Sequence, residues 1–87
     1  MGMQKGLNSD VSVRGQSFHV QTEDWGDQNP FLVSRIYLNG AVIKTIKTSY
    51  EEAFRQGSVR DLSALQGALK KQHHRILDQL FAGEFTR

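Results

Sequence analysis

Asn39-Gly40 narrows what this chain can become more than any other feature. The dipeptide stands between two runs rich in β-branched, aromatic and aliphatic residues, Phe31–Leu38 and Ala41–Thr48. A two-residue connection between antiparallel strands needs φ > 0 at both central positions, and Asn and Gly tolerate that conformation. A hairpin is therefore predicted, and its register follows by counting outward from the turn. Leu38 then faces Ala41, Tyr37 faces Val42, Ile36 faces Ile43, Ser34 faces Thr45 and Val33 faces Ile46. One face carries Leu32, Ile36, Leu38, Ala41 and Ile43; the other carries Phe31, Val33, Tyr37, Val42 and Ile46, with Arg35 and Lys44 opposite each other. Both faces are apolar, whereas a sheet with one solvated face alternates more cleanly.

A further strand-like run covers Val11 to Thr22 and is broken at Arg14-Gly15-Gln16. One strand with a bulge and two short strands around a turn both fit that break. Residues 1–10, MGMQKGLNSD, have no apolar period and read as a flexible tail ahead of a single domain over 11–87. The loop from Asp24 to Asn29 is turn chemistry throughout, and Pro30 closes it. Ser49-Tyr50-Glu51-Glu52 has capping-box spacing, and Gly57 offers a stop for the short helix it starts. Ser58-Val59-Arg60-Asp61 opens a second helix, expected over 59–82 with Gly83 as its C′ residue. Leu62, Leu65, Leu69, Ile76 and Leu80 share one side of its 3.6-residue period. The expected fold is α+β: an antiparallel three-stranded sheet (four if the first run breaks at Gly15), a short helix and one long C-terminal helix, β-β-β-α.

One long helix covers one sheet face. The opposite face, around Val33, Tyr37, Val42 and Ile46, is left without cover from the chain, and such patches mark interaction surfaces. A core this small also gains from self-association, so a homodimer is expected. Ala64, Gly67 and Lys71, with Ala68, form a small-residue stripe away from the leucines, where a second helix or copy would approach closely. Trp25 sits in a loop able either to present it to a partner or to fold it back over the sheet.

Chemistry-bearing residues are few. His19 and Glu23 share a strand face, followed by Asp24, yet no third ligand stands at metal spacing. His73-His74 is not a helical metal pair, because adjacent residues diverge by about 100° and such sites use i, i+4. His73 falls inside the leucine stripe and reads as an interior or interface histidine. Lys70, Lys71, His74 and Arg75, with Arg60 beyond, make a basic outer face. No G-x-S-x-G, P-loop or G-x-G-x-x-G occurs, and the chain has no cysteine. No enzymatic activity, cofactor or metal is expected. No apolar stretch approaches membrane-spanning length and the N-terminus lacks a signal peptide's apolar core, so a cytoplasmic protein is expected.

These features point to a non-enzymatic protein-interaction or adaptor module, homodimeric, with a signalling protein as partner. The alternative is a nucleic-acid-binding domain using the sheet or the basic helix face. The pI of about 9.2 permits that, although eleven Lys+Arg against nine Asp+Glu leave a net charge of only +2.

His19-Val20-Gln21-Thr22-Glu23-Asp24, Asn29-Pro30-Phe31-Leu32-Val33, Gly40, Lys47-Thr48-Ser49-Tyr50 and Gln72-His73 together form a pattern over about residues 15–82. It resembles a group of small bacterial proteins from myxobacteria, Bdellovibrio-like predators and relatives. The resemblance brings no catalytic motif and so no site residue. It implies a bacterial setting compatible with a signalling or cell-polarity adaptor, for instance one serving a small GTPase as RomX-type proteins do.

Overall fold

The computed structural model describes residues 6–26, 28–53 and 62–85. Four strands, β1 (Gly6–Val13), β2 (Gln16–Asp24), β3 (Phe31–Leu38) and β4 (Ala41–Ser49), precede α1 (Tyr50–Ala53) and α2 (Leu62–Phe81). The strands form one antiparallel meander in the order β1-β2-β3-β4. The fold is α+β as expected, with four strands rather than three. The first apolar run breaks at Arg14-Gly15, whose φ values of 53° and 79° nearly repeat the 52° and 88° of Asn39-Gly40. Both hairpins thus turn on two residues with positive φ. The expected ten-residue tail is corrected as well, because residues 6–10 belong to β1. Asn8, Ser9 and Asp10 are poor strand formers, and pairing with Gln21, Val20 and His19 decides their conformation.

The register of the Asn39-Gly40 hairpin starts as expected, with Leu38 opposite Ala41 and Tyr37 opposite Val42. It then slips by one residue: Ile36 pairs with Lys44, Ser34 with Ile46 and Val33 with Lys47, leaving Ile43 as the extra residue of a bulge. A one-residue slip moves every later side chain to the other face. Ile46 therefore packs into the helix-side core, not on the open face where the unbulged count put it. Packing against the helix decides this, since the same slip turns Lys47 outward.

Ser49 caps α1 as its spacing predicts, its Oγ accepting the Glu52 N–H at 3.1 Å. Gly57 and the second capping segment, Ser58 to Asp61, lie outside the described residues, as does Arg60. At the other end Gly83, at φ 85°, terminates α2. Its N–H bonds to the Leu80 carbonyl and that of Glu84 to the Gln79 carbonyl, both at 2.9 Å, which is the Schellman pattern. The Arg14 guanidinium lies against Gly83, so the β1–β2 turn places a cation at the negative end of the α2 dipole.

The core has two apolar clusters under α2. Val13, Phe18, Val20 and Ile36 meet Ile76 and Leu80, with Phe85 docked beside them; Leu32 and Tyr50 meet Leu69. Ala64 packs against the second cluster, which corrects its expected place on an exposed stripe. Between the clusters runs a polar strip. His73, buried as expected, lies with Nδ1 2.8 Å from Thr22 Oγ1 and Nε2 2.8 Å from Ser9 Oγ. Thr22 meets Ser34 Oγ at 2.7 Å, and Gln72 Nε2 donates to Ser34 at 2.8 Å. Among the described residues, no buried side-chain nitrogen or oxygen lacks a partner.

Candidate interaction surface

Helix α2 lies mainly across β2 and β1 and touches β3 lightly. Four strands at about 4.8 Å make a sheet about 19 Å wide, whereas one helix with its side chains is about 10 Å across. Among the described residues, the helix-side face of β3 and β4 is therefore half open. A groove of about 270 Å³ runs there, between α2 and β4. Leu32, Ile46, Ala68 and Ile76 supply apolar surface, and Lys71, Gln72, Arg75 and Gln79 come from α2. Lys44 pairs with the core residue Ile36, so it shares this side of β4 two positions from Ile46. β4 is an edge strand, and Val42 and Ile43 near the hairpin tip are 49% and 42% exposed.

The other sheet face is more finished than its residue types suggest. Trp25 folds back over it. The indole Nε1 donates to Glu23 Oε1 at 3.2 Å, Lys47 Nζ lies 5.2 Å from the indole ring centroid, and the Arg35 guanidinium carbon lies 5.8 Å from it. Glu23 and Lys47 are the cross-strand partners of Val33, and Arg35 follows two residues along the same face. The ring thus spans the residues that surround Val33, which is 1% exposed. Val33 is accordingly a core residue, correcting its expected role in an exposed patch.

Farther along this face His19 sits between its strand neighbours Asp10 and Tyr37. Its Nδ1 donates to Asp10 Oδ1 at 2.8 Å, its Nε2 lies 3.3 Å from Asn8 Oδ1, and its ring packs at 5.7 Å against Tyr37. The Tyr37 hydroxyl donates to Gln21 Oε1 at 3.4 Å. An open concavity of about 380 Å³ lies beside these side chains. Glu23 is committed to Trp25. Buried Asp24 accepts from the Tyr50 hydroxyl and, at 3.0 Å, from the Gly26 N–H, so it fixes the loop and α1. No group of three or more His, Asp or Glu among the described residues is placed to hold a metal.

The eight residues singled out from the sequence do not form one patch. Tyr37, Val42 and Trp25 belong to the open face, Val33 lies beneath it, and Ile46 and Lys71 line the groove. Ala64 is in the second core cluster. Gly67 is exposed, and a Cβ added there would meet nothing within 4 Å. Sequence reasoning missed the groove because its β4 wall depends on the bulge at Ile43. It missed the Asp10–His19 pair because Asp10 was assigned to the tail. No helix among the described residues is long and apolar enough to cross a membrane. No protein-family model matches this chain, and no curated protein or solved structure resembles it significantly.

Proposed function

We propose that this protein is a non-enzymatic interaction module that docks a partner protein in the groove between α2 and β4. The observation that carries the reading is the half-covered sheet. Among the described residues, α2 shields mainly β1 and β2, while Leu32 of β3 with Ile46 and Thr48 of β4 line an open groove beside the edge strand β4. The groove lining mixes apolar Leu32, Ile46, Ala68 and Ile76 with Thr48, Lys71, Gln72, Arg75 and Gln79, the balance of polar and apolar surface that non-obligate protein interfaces carry. The side chains with catalytic potential are engaged structurally: His19 with Asp10 and Asn8, Asp24 with Tyr50, and His73 with Thr22 and Ser9.

Of the face expected to dimerise, Val33 is 1% exposed and Ile46 packs on the helix side, which supports placing the docking surface in the groove instead. A signalling partner of different sequence fits the groove better. A photo-crosslinking side chain at Thr48, a groove residue, is expected to give a discrete heavier adduct in cells that express the protein natively. The same group at exposed Ser12 on β1 is expected to give none. An adduct at only twice the 9.9 kDa chain mass would instead establish a homodimer. Equal labelling from both positions, or none from Thr48, would refute the docking reading.

A second reading rests on the outer side of α2. Lys70 and His74, and Lys71 and Arg75, form two parallel i, i+4 rows of exposed basic or titratable groups. Nucleic acid bound there would dissociate steeply with rising salt.

A further inference from the structure

We infer that the occupant of the groove between α2 and β4 is an acidic amphipathic helix from a different protein, a reading that rests on the interaction-module function proposed above. Shape is the first argument. The part of the sheet that the described residues leave uncovered is about one helix wide, and it lies on the face where α2 already packs, so a second helix completes the layer. From Ala68 to Gln79 the groove wall spans about 17 Å of α2, enough for about three turns of a partner.

Charge is the second. Lys71 and Arg75 line the groove from α2, and Lys44, outside that lining, shares the helix side of β4 two positions from Ile46. No carboxylate lines the groove among the described residues. Glu51 and Glu52 precede Ala53 on α1, and Asp78 stands three residues after Arg75 on exposed α2 surface, so acidic groups on the partner belong opposite Lys71, Arg75 and Lys44 rather than at the α1 end or beside Asp78. A partner with leucine-like anchors at i, i+3 or i+4 and i+7, flanked by Asp or Glu, meets both the apolar floor and the cationic rim.

The same charges argue against a second copy of this chain. The apolar stripe of α2 is already committed to the core through Leu69, Ile76 and Leu80. Its outer side would bring Lys70 and Arg75 against Lys71, Arg75 and Lys44, a like-charge juxtaposition that disfavours pairing.

The test uses the full chain and labelled peptides of about fifteen residues, sharing one leucine stripe and differing only in flanking charge. Fluorescence anisotropy at physiological salt should show the Glu-flanked peptide binding at least about tenfold more tightly than a scrambled peptide of the same composition, with the Lys-flanked peptide silent. Lys71→Glu with Arg75→Glu should reverse the preference. Both side chains are exposed, so the fold is retained. Lys70→Glu, one position away on the outer row, should change affinity by less than about threefold.

Equal binding of the Glu- and Lys-flanked peptides would overturn the inference, and so would an equal loss from Lys70→Glu. Tighter binding of an oligonucleotide, displaced by salt and weakened alike by all three charge reversals, would do the same in favour of nucleic acid. A partner that crosslinks through Thr48 while no acidic peptide binds would refute the acidic helix alone; silence in both experiments would remove the interaction reading as well.

Discussion

Thr22 and His73, 51 residues apart in the chain, meet beneath α2 with Oγ1 2.8 Å from Nδ1. The contact belongs to a line of polar side chains: Gln72 donates to Ser34, Ser34 meets Thr22, and His73 reaches Thr22 through Nδ1 and Ser9 through Nε2. One imidazole nitrogen of the neutral ring carries the proton and the other accepts, and the hydroxyl on either side rotates to match. The strip thereby ties α2 to β1, β2 and β3 in one register.

Thr22→Val keeps the shape and removes the hydroxyl, which leaves buried His73 Nδ1 without its hydrogen-bond partner. It should cost about 1–3 kcal/mol of stability, and Thr22→Ser, which keeps the hydroxyl, clearly less. Urea unfolding of the two variants compares them directly. Equal stability would mean that the hydroxyl contributes only its volume.

Burial holds the His73 pKa below its ordinary value of 6.5, and the charges of His74 and His19 lower it further. In the unfolded chain the ring protonates near 6.5, so below that pH the unfolded state binds more protons than the folded one. The His73 contribution is therefore complete above pH 6.5 and is lost as the pH falls through the lower folded pKa. Denaturation midpoints measured at successive pH values should decline on acidification. A His73→Leu variant should be less stable near neutrality yet show a flatter profile. An unchanged slope in that variant would assign the acid sensitivity to other groups.

Trp25→Ala uncovers Val33 and releases Lys47 and Arg35 from the indole. The expected loss is about 1–3 kcal/mol, combining apolar exposure with cation–π contacts. Trp25→Phe retains a ring over the same site and should recover part of it. Methyl resonances of Val33 report the same event locally, and no shift in the Ala variant would place the indole elsewhere.

The two helical glycine positions should respond in opposite directions. Gly67→Ala adds a Cβ into open space within α2 and should stabilise by up to about 1 kcal/mol. Gly83→Ala must hold φ near 85° and displace the Arg14 guanidinium. It should destabilise by more than about 1 kcal/mol, as the left-handed conformation alone costs that much. Thermal unfolding of both variants would show it, and a stabilised Gly83→Ala would mean that the helix ends differently.

Much of this protein is written in local sequence. Asn39-Gly40 determined a hairpin, Ser49 a helix cap, Gly83 a helix end, and the leucine period of α2 its buried side, His73 included. Each depends on φ preferences or periodicity within a few residues, so no knowledge of distant segments is needed. What the tertiary structure decided lies where local preference is weak. Asn8, Ser9 and Asp10 became strand only because β2 offers them partners, and that brought Asp10 to His19 and Ser9 to His73. The bulge at Ile43 is invisible to a count from the turn, because both registers place apolar side chains on both faces. Only the presence of α2 on one side makes the choice, and in making it turns Ile46 into the core, sends Lys47 out to Trp25, and opens the groove beside β4.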